Sequence, residues 1–376
     1  MRWNWQNPGW PHFAFQPEPL AGREATFLQR SGVVVGAVRH LPADEHVQLV
    51  IEVMSTEALK TSEIEGEILN RDSVQSSLCR QFGLQSDGRR VTPAEQGIAE
   101  MLTDLYRSYA APLTQEMLFT WHRLLMKGSE NFRVGCWRTH SEPMQVVSGP
   151  VYVPKVHFEA PPSAIVAEEM ARFCQWFNDT IPGGSTPLSA LARAGLSHLY
   201  FESIHPFEDG NGRIGRAIAE KALAQGAGQP SLSALSLMIE RQRSRYYHEL
   251  ELANKDLQVD QWLSWFADTV LAAQSYTLRS LEFLIAKTRM FDRLRGQLNA
   301  RQETALRRVM REGPDGFKGG LSAGNYQSIT DAPPATARRD LAELVALGAL
   351  RRTGQQRGTR YWLAFLSEDA AVRQPL

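Results

Sequence analysis

Cysteine is scarce in this 376-residue chain, its charges balance, and no apolar run is long. Cys79, Cys136 and Cys174 are odd in number and far apart, which excludes a disulfide framework and a paired-thiolate metal site and points to a reducing compartment. Lys plus Arg number 41 and Asp plus Glu number 41, so any signal for nucleic acid has to be local. The longest apolar stretch, GVVVGAV at 32–38, falls far short of the ~20 residues that span a bilayer. MRWNWQNPGWPHF lacks the continuous apolar segment of a signal peptide. A cytoplasmic protein with no membrane partner is expected. What remains is the composition of an ordinary folded protein, 43% apolar and 22% charged, with length for two or three domains.

Helical periodicity dominates. EHVQLVIEVMSTEALKTSEIEGEILNRDSVQSSL carries apolar residues at three- and four-residue spacing, QSDGRRVTP at 85–93 reads as a loop, and Thr92-Pro93 opens the next helix. The exception is MQVVSGPVYVPKVHFEAPP at 144–162, where β-branched and aromatic residues alternate around Ser148-Gly149-Pro150, as in a β-hairpin. From about 290 the order is helix, helix, helix and then RRTGQQRGTRYWLAF, shaped as strand, turn and strand, which is the order of a winged helix-turn-helix. The chain divides as a helical domain over 1–90, a second over 91–285 and the tail over 290–376.

HPFEDGNGRIGR, residues 205–216, concentrates the chemistry. Its G-x-G-x-x-G is not a dinucleotide fingerprint, because the preceding PLSALARAGLSHLYFESIHPF reads as helix and not as strand. No G-K-[ST] follows, and no HExxH or close cysteine pair supplies zinc ligands. A plain polar turn would explain Asp209 to Gly212, but not two arginines three apart on the helix that follows. Phosphate chemistry accounts for more of it. Gly210 and Gly212 permit backbone N–H groups to converge at a helix N-terminus, and Arg213 and Arg216 can clamp phosphate oxygens. Asp209 suits Mg²⁺ shared with phosphate, and His205 can take a proton from an attacking hydroxyl. One tension stands in the sequence: a helix C-terminus favours cationic histidine by roughly 0.3–1 kcal/mol, against a neutral base, while the arginines push the other way.

The segment resembles the signature of Fic family AMP-transferases, H-P-F-x-[DE]-G-N-G-R-x-x-R, complete here in His205, Pro206, Phe207, Asp209, Gly210, Asn211, Gly212, Arg213 and Arg216. At ~5% per position such a match arises by chance in about one window in 10¹². The resemblance implies a mostly α protein: a Fic-type helical core with a β-hairpin flap, a helical N-terminal domain and a C-terminal winged helix-turn-helix. It implies ATP and Mg²⁺ as cofactors and transfer of AMP to a Ser, Thr or Tyr hydroxyl of a target protein or of the chain itself, with release of pyrophosphate. His205 is then the catalytic base and Asp209 the metal ligand. Asn211 and the glycine turn seat the phosphates, Arg213 supports the β-phosphate side, and Phe207 anchors the loop.

The same resemblance extends outward. Thr61-Ser62-Glu63-Ile64-Glu65-Gly66 is similar to the family's inhibitory helix, which implies that Glu65 pairs with Arg216 in the space of the ATP γ-phosphate. The hairpin at 144–162 sits where the family has its flap, which aligns a target segment by strand addition, with Val156, His157, Phe158 and Glu159 toward the nucleotide. Tyr247 and Asn254, with Tyr246, look like the adenine side. The opening RWNWQNPGWPHFAF resembles the N-terminal domain of multidomain bacterial members, its tryptophans reading as packing. Arg338, Arg339, Arg351, Arg352, Arg357 and Arg360 suit DNA phosphates in the tail. Three alternatives stay open: a DNA-binding regulator whose Fic domain senses nucleotide, a Fic enzyme with another donor, and an enzyme that removes AMP. A homodimer is a further expected partner state.

Overall fold

The computed structural model describes residues 3–39, 42–86, 88–129, 133–149 and 154–366. Five helices come first: α1 (Glu18–Arg39), α2 (Ala43–Ile64), α3 (Arg71–Gln81), α4 (Pro93–Ser108) and α5 (Gln115–Leu125). An antiparallel hairpin follows, β1 (Gln145–Ser148) with β2 (Lys155–Glu159). Next are α6 (Ser163–Asp179), α7 (Ala190–Ile204), α8 (Asn211–Ala227), α9 (Leu235–Arg241), α10 (Arg243–Ala253) and the long α11 (Asp260–Arg293). The chain ends in α12 (Ala300–Met310), α13 (Ala323–Thr330), α14 (Pro334–Ala346) and a second antiparallel pair, β3 (Leu350–Thr353) with β4 (Arg360–Leu363). Mostly α, with two small sheets, is the architecture expected. No helix among the described residues is long and apolar enough to cross a membrane.

Residues 1–277 and 278–376 are two compact units, the division falling within α11 and not at 290. Within the first, the N-terminal helices have no separate core. Leu20, Phe27, Met54 and Ile64 belong to the same buried cluster as Leu199, Phe207, Ile218 and Phe266. All fifteen residues of α7 are buried, as a helix wrapped on every side requires. Arg193 is paired inside, donating to Phe177 O (2.7 Å) and Gln225 Oε1 (2.8 Å).

The long periodic stretch from 45 to 78 is two helices. α2 stops at Ile64, Gly66 takes φ 85°, and Asn70 caps α3 through Ser73 N. Left-handed φ is cheap only for glycine, so Gly66 ends the helix while the apolar spacing continues past it. That break is what leaves Glu65 at an end and not on a helix flank. Thr92 and Glu95 form the capping box that opens α4, as the Thr92-Pro93 pair predicts.

In the second unit, α12, α13, α14 and the β3–β4 hairpin pack Leu306, Val309, Leu341, Leu344 and Leu363 together. Asp340, 1% exposed, accepts from Arg301 Nε (2.9 Å) and Tyr326 OH (3.0 Å) and ties the three helices. Burial pushes its carboxyl up, but Arg301 and Tyr326 outweigh this and hold it below the usual range. Its stabilisation is therefore present above the ordinary Asp pKa of about 3.9 and lost as pH falls through the lowered folded value. Asp340→Ala is expected to cost this unit about 2–4 kcal/mol. The check is amide exchange at neutral pH: residues 300–363 exchange faster while α7 and α8 keep their protection.

Candidate active site

Local backbone choices shape the turn between α7 and α8. His205 closes α7 at φ 50°, ψ 60°, its N–H reaching Phe201 O at 2.9 Å. A left-handed histidine is uncommon and marks a site held by its surroundings. Gly210, φ 84°, then launches α8. Asn211 is buried, its Oδ1 accepting from Phe207 N and its Nδ2 donating to Phe207 O, both at 2.9 Å. The Asn211 side chain thus ties the loop together and holds the turn at the N-terminus of α8. Phe207 is fully buried and stacks on His122 at 4.1 Å, the loop anchor expected of it.

Arg138, which sequence reasoning missed, clamps this turn from outside. It is buried and donates to His205 O (2.8 Å), Pro161 O (2.5 Å) and Ser163 Oγ (2.9 Å), while its own N–H reaches Pro206 O (2.9 Å). A lone arginine in GCWRTH carries no local signal for partners 23 and 67 residues away. Arg138→Ala is expected to lower stability by about 3 kcal/mol by orphaning these carbonyls. The measurement is a shift of the urea midpoint with unchanged slope.

The histidine tension resolves in favour of the neutral base. Burial, followed by the charge of Arg138, pulls the His205 imidazole down to about 4. Glu202 Oε2 lies 3.7 Å from His205 Nδ1. Burial pushes the Glu202 carboxyl up to about 8, with the negative charge of Glu65 adding to it.

Glu65 meets Arg216 as the resemblance implies. Arg216, 1% exposed, donates through Nη2 to Glu65 Oε1 (2.7 Å) and to Thr61 O (2.9 Å), and through Nε to Thr61 Oγ1 (2.8 Å). Thr61 and Glu65 are four apart, one turn at the end of α2, so a single guanidinium reads both. Burial raises Glu65, but Arg216 prevails and its carboxyl is held below the usual range. A Cβ on Gly212 would lie 2.2 Å from Glu65 Oε1, so the carboxylate presses directly onto the first turn of α8. Arg213 donates through Nη1 to Glu67 Oε2 at 2.6 Å, a second acidic contact from the same segment that the sequence reading did not single out. Asp209 is open, its side chain 55% exposed, with Oδ1 3.7 Å from Arg213 Nη2.

The flap and adenine-side residues divide by burial. Val147 and Val156 are paired and exposed, while residues 150–153 at the hairpin tip lie outside those described. His157, displaced by a bulge, bridges Ser148 Oγ (2.6 Å) and Glu251 Oε2 (2.9 Å). Phe158 differs from the expectation of a nucleotide-facing residue: it is buried edge-on against Trp3 at 5.5 Å. Glu159 bonds Gln145 through its side chain and accepts Trp5 Nε1 on its carbonyl at 2.7 Å. The N-terminal tryptophans thus fasten the flap. Tyr247 is 41% exposed, its OH reaching Ile64 O at 3.3 Å. Tyr246 is buried with its OH on His198 Nε2 at 2.9 Å, and Asn254 is buried with Oδ1 on Ser203. Close packing explains both, so Tyr247 is the member of the trio that offers an open ring.

Residues 112–223 match the model of the Fic/DOC family, and residues 3–84 match one described as Domain of unknown function (DUF4172). Over 86 residues the chain is 40% identical to the "Protein adenylyltransferase Fic" of Drosophila melanogaster and to that of Drosophila simulans. That stretch is 23% of this chain, and the chain spans 16% of the length of each fly protein. Among solved structures, a Fic family protein from Desulfovibrio desulfuricans aligns over 95% of this chain and 99% of its own, with TM-score 0.52 and 19% identity. A Fic domain containing signaling protein from Bacteroides thetaiotaomicron aligns over 69% and 98%, with TM-score 0.53 and 17% identity. These two likenesses establish the fold alone.

Proposed function

We propose that this chain, in which residues 112–223 form a Fic/DOC family domain, is a self-inhibited protein adenylyltransferase. The observation that carries the reading is the coincidence of a neutral, half-buried histidine with a helix N-terminus whose arginine is held by an acid from another helix. His205 Nε2 takes the proton of an acceptor Ser, Thr or Tyr hydroxyl as its oxygen bonds to the α-phosphorus of ATP. The α–β bridging P–O bond breaks and pyrophosphate leaves. The N–H groups at the start of α8 and Arg213 meet the developing negative charge. Arg216, once released by Glu65, is available to the terminal phosphate. Tyr247 offers its open ring to the adenine, and the exposed β1–β2 edge offers main-chain groups to a target segment.

Among the described residues no cluster of three or more His, Cys, Asp or Glu is disposed as a self-contained metal site. The exposed Asp209 beside the phosphate-binding turn fits a Mg²⁺ held mainly by substrate phosphates, the usual arrangement for that ion. Bound there, the ion supplies neutralisation of phosphate charge. The reading predicts that the Glu65→Gly chain, given ATP, Mg²⁺ and a protein acceptor, releases pyrophosphate. Release of orthophosphate instead would contradict it.

A second reading has its own observation. Arg338 and Arg339 are both exposed near the start of α14, and Arg352 is exposed on β3, as contacts to DNA phosphates require. The Arg357 side chain lies outside the described residues. In this reading the second unit is a winged-helix DNA reader. It predicts retarded mobility of duplex DNA at low salt, reduced at least tenfold in affinity by Arg338→Ala with Arg339→Ala. Unchanged mobility at every protein concentration would remove it.

A further inference from the structure

Glu202 has no role in the chemistry above, yet it lies directly behind the base. It sits one turn before His205 at the end of α7, 8% exposed, with Oε2 3.7 Å from His205 Nδ1. Its other oxygen, Oε1, is buried without a hydrogen-bond partner. The space it occupies is made by a glycine on the facing helix: a Cβ on Gly215 would lie 2.5 Å from Glu202 Oε1. A buried carboxyl with one oxygen unsatisfied is costly, of the order of 1–3 kcal/mol, and it fits here because the facing helix carries a glycine at that point. The charged and titratable groups that face the pair are Arg216 from α8, Glu65 from the end of α2, Tyr246 from α10, Arg138 from the loop after α5, Asp209 from the turn, and His198 one turn earlier on α7, whose Nδ1 meets the same point of Gly215.

We propose that Glu202 is a positioning residue that sets the base strength of His205: its neutral carboxyl leaves the imidazole a weak base, and its ionised form stabilises the imidazolium that forms during transfer. This rests on the adenylyltransferase reading of the same site. Nδ1 is the nitrogen that faces Glu202, which leaves Nε2 for the acceptor hydroxyl. When the hydroxyl proton arrives at Nε2, a carboxylate 3.7 Å from Nδ1 favours the charged ring, since an opposite charge within ~4–6 Å shifts a pKa by 1–3 units. The Glu202 proton is released to solvent as pH rises; no other group changes its proton count in this step. Base strength, and with it the rate, therefore climbs as pH passes through the raised range of the Glu202 carboxyl, about 8. Glu65 contributes to that elevation, so the inhibitory segment acts on the base as well as on Arg216.

The test is histidine NMR on the full chain, with ¹³C-labelled imidazole and His205 assigned by its loss in His205→Ala. In the wild type the His205 signal is expected to move through a second inflection near pH 8, well above its own titration. Glu202→Gln, which keeps the shape but cannot ionise, is expected to lose that inflection, and Gly215→Ala, which displaces the carboxyl, to weaken it. An inflection that survives in Glu202→Gln, or none in the wild type, overturns the proposal. The kinetic counterpart is the pH profile of AMP transfer by the Glu65→Gly chain, whose rise toward alkaline pH is expected to flatten roughly tenfold when Glu202→Gln is added. The second inflection together with no AMP transfer under any condition would sink the adenylyltransferase reading and leave the coupling of Glu202 to His205 intact.

Discussion

Glu65→Gly is expected to raise the rate of AMP transfer by about 10- to 100-fold at saturating ATP. The figure follows from what the substitution removes. A charge-assisted hydrogen bond contributes about 1.5–3 kcal/mol, and here it joins Glu65 to a guanidinium with only 1% of its surface exposed. ATP has to displace that contact to reach Arg216, so the inhibited population falls by the same factor when the contact is gone. Glu65→Gln, which keeps the bulk against Gly212 but not the charge, is expected to give a smaller rise. Thr61→Ala removes one acceptor of the same arginine and is expected to activate only a few-fold. Arg216→Ala frees the same space yet is expected to be inactive, because the phosphate partner goes with the inhibitory one. Initial rates of pyrophosphate release across this series order the four chains. A fully active Arg216→Ala would show that Arg216 is not the phosphate partner.

Replacing His205 with alanine in the activated chain is expected to lower the rate by 10²- to 10⁴-fold while changing ATP affinity by no more than a few-fold. The imidazole is the one group at the turn that is both neutral at physiological pH and placed between α7 and the start of α8. With its pKa drawn down to about 4, the base stays unprotonated across the physiological range. No acid limb near the ordinary histidine value of about 6.5 is expected in the pH–rate profile, and activity attributable to protonation of His205 falls only as pH approaches 4. A limb near 6.5 would mean that the working histidine is solvated and that the burial drawn here does not describe the active state.

The parts legible in the sequence are those written contiguously. His205 to Arg216 carries its turn, its helix start and its phosphate-facing arginines within twelve positions, and the hairpin alternates as a hairpin should. Glu65 was legible through the resemblance of residues 61–66 to the family's inhibitory helix, while the bond from Arg216 to Thr61 was not. The periodic stretch from 45 to 78 looked like one helix because apolar spacing does not register the φ of Gly66. Phe158, Tyr246 and Asn254 carry residue types fit for a nucleotide site, but burial is set by what folds against them: Trp3 on Phe158, His198 on Tyr246, Ser203 on Asn254. Arg138 and Glu67 reach the site from 67 and 146 residues away, and no spacing rule connects them to it. Glu202 was hidden for another reason: within a helix buried on all sides it reads as one polar residue among several, and only the missing side chain at Gly215 shows the room made for it.

The central claim is that one site, gated by Glu65, transfers AMP. The most direct measurement incubates the wild type, Glu65→Gly, and Glu65→Gly with His205→Ala, each with Mg²⁺ and ATP labelled either at the α- or at the γ-phosphate. The account predicts protein-bound label from the α-position only, strongest in the single variant and absent in the double. Label from the γ-position, or equal α-label in wild type and Glu65→Gly, would contradict it.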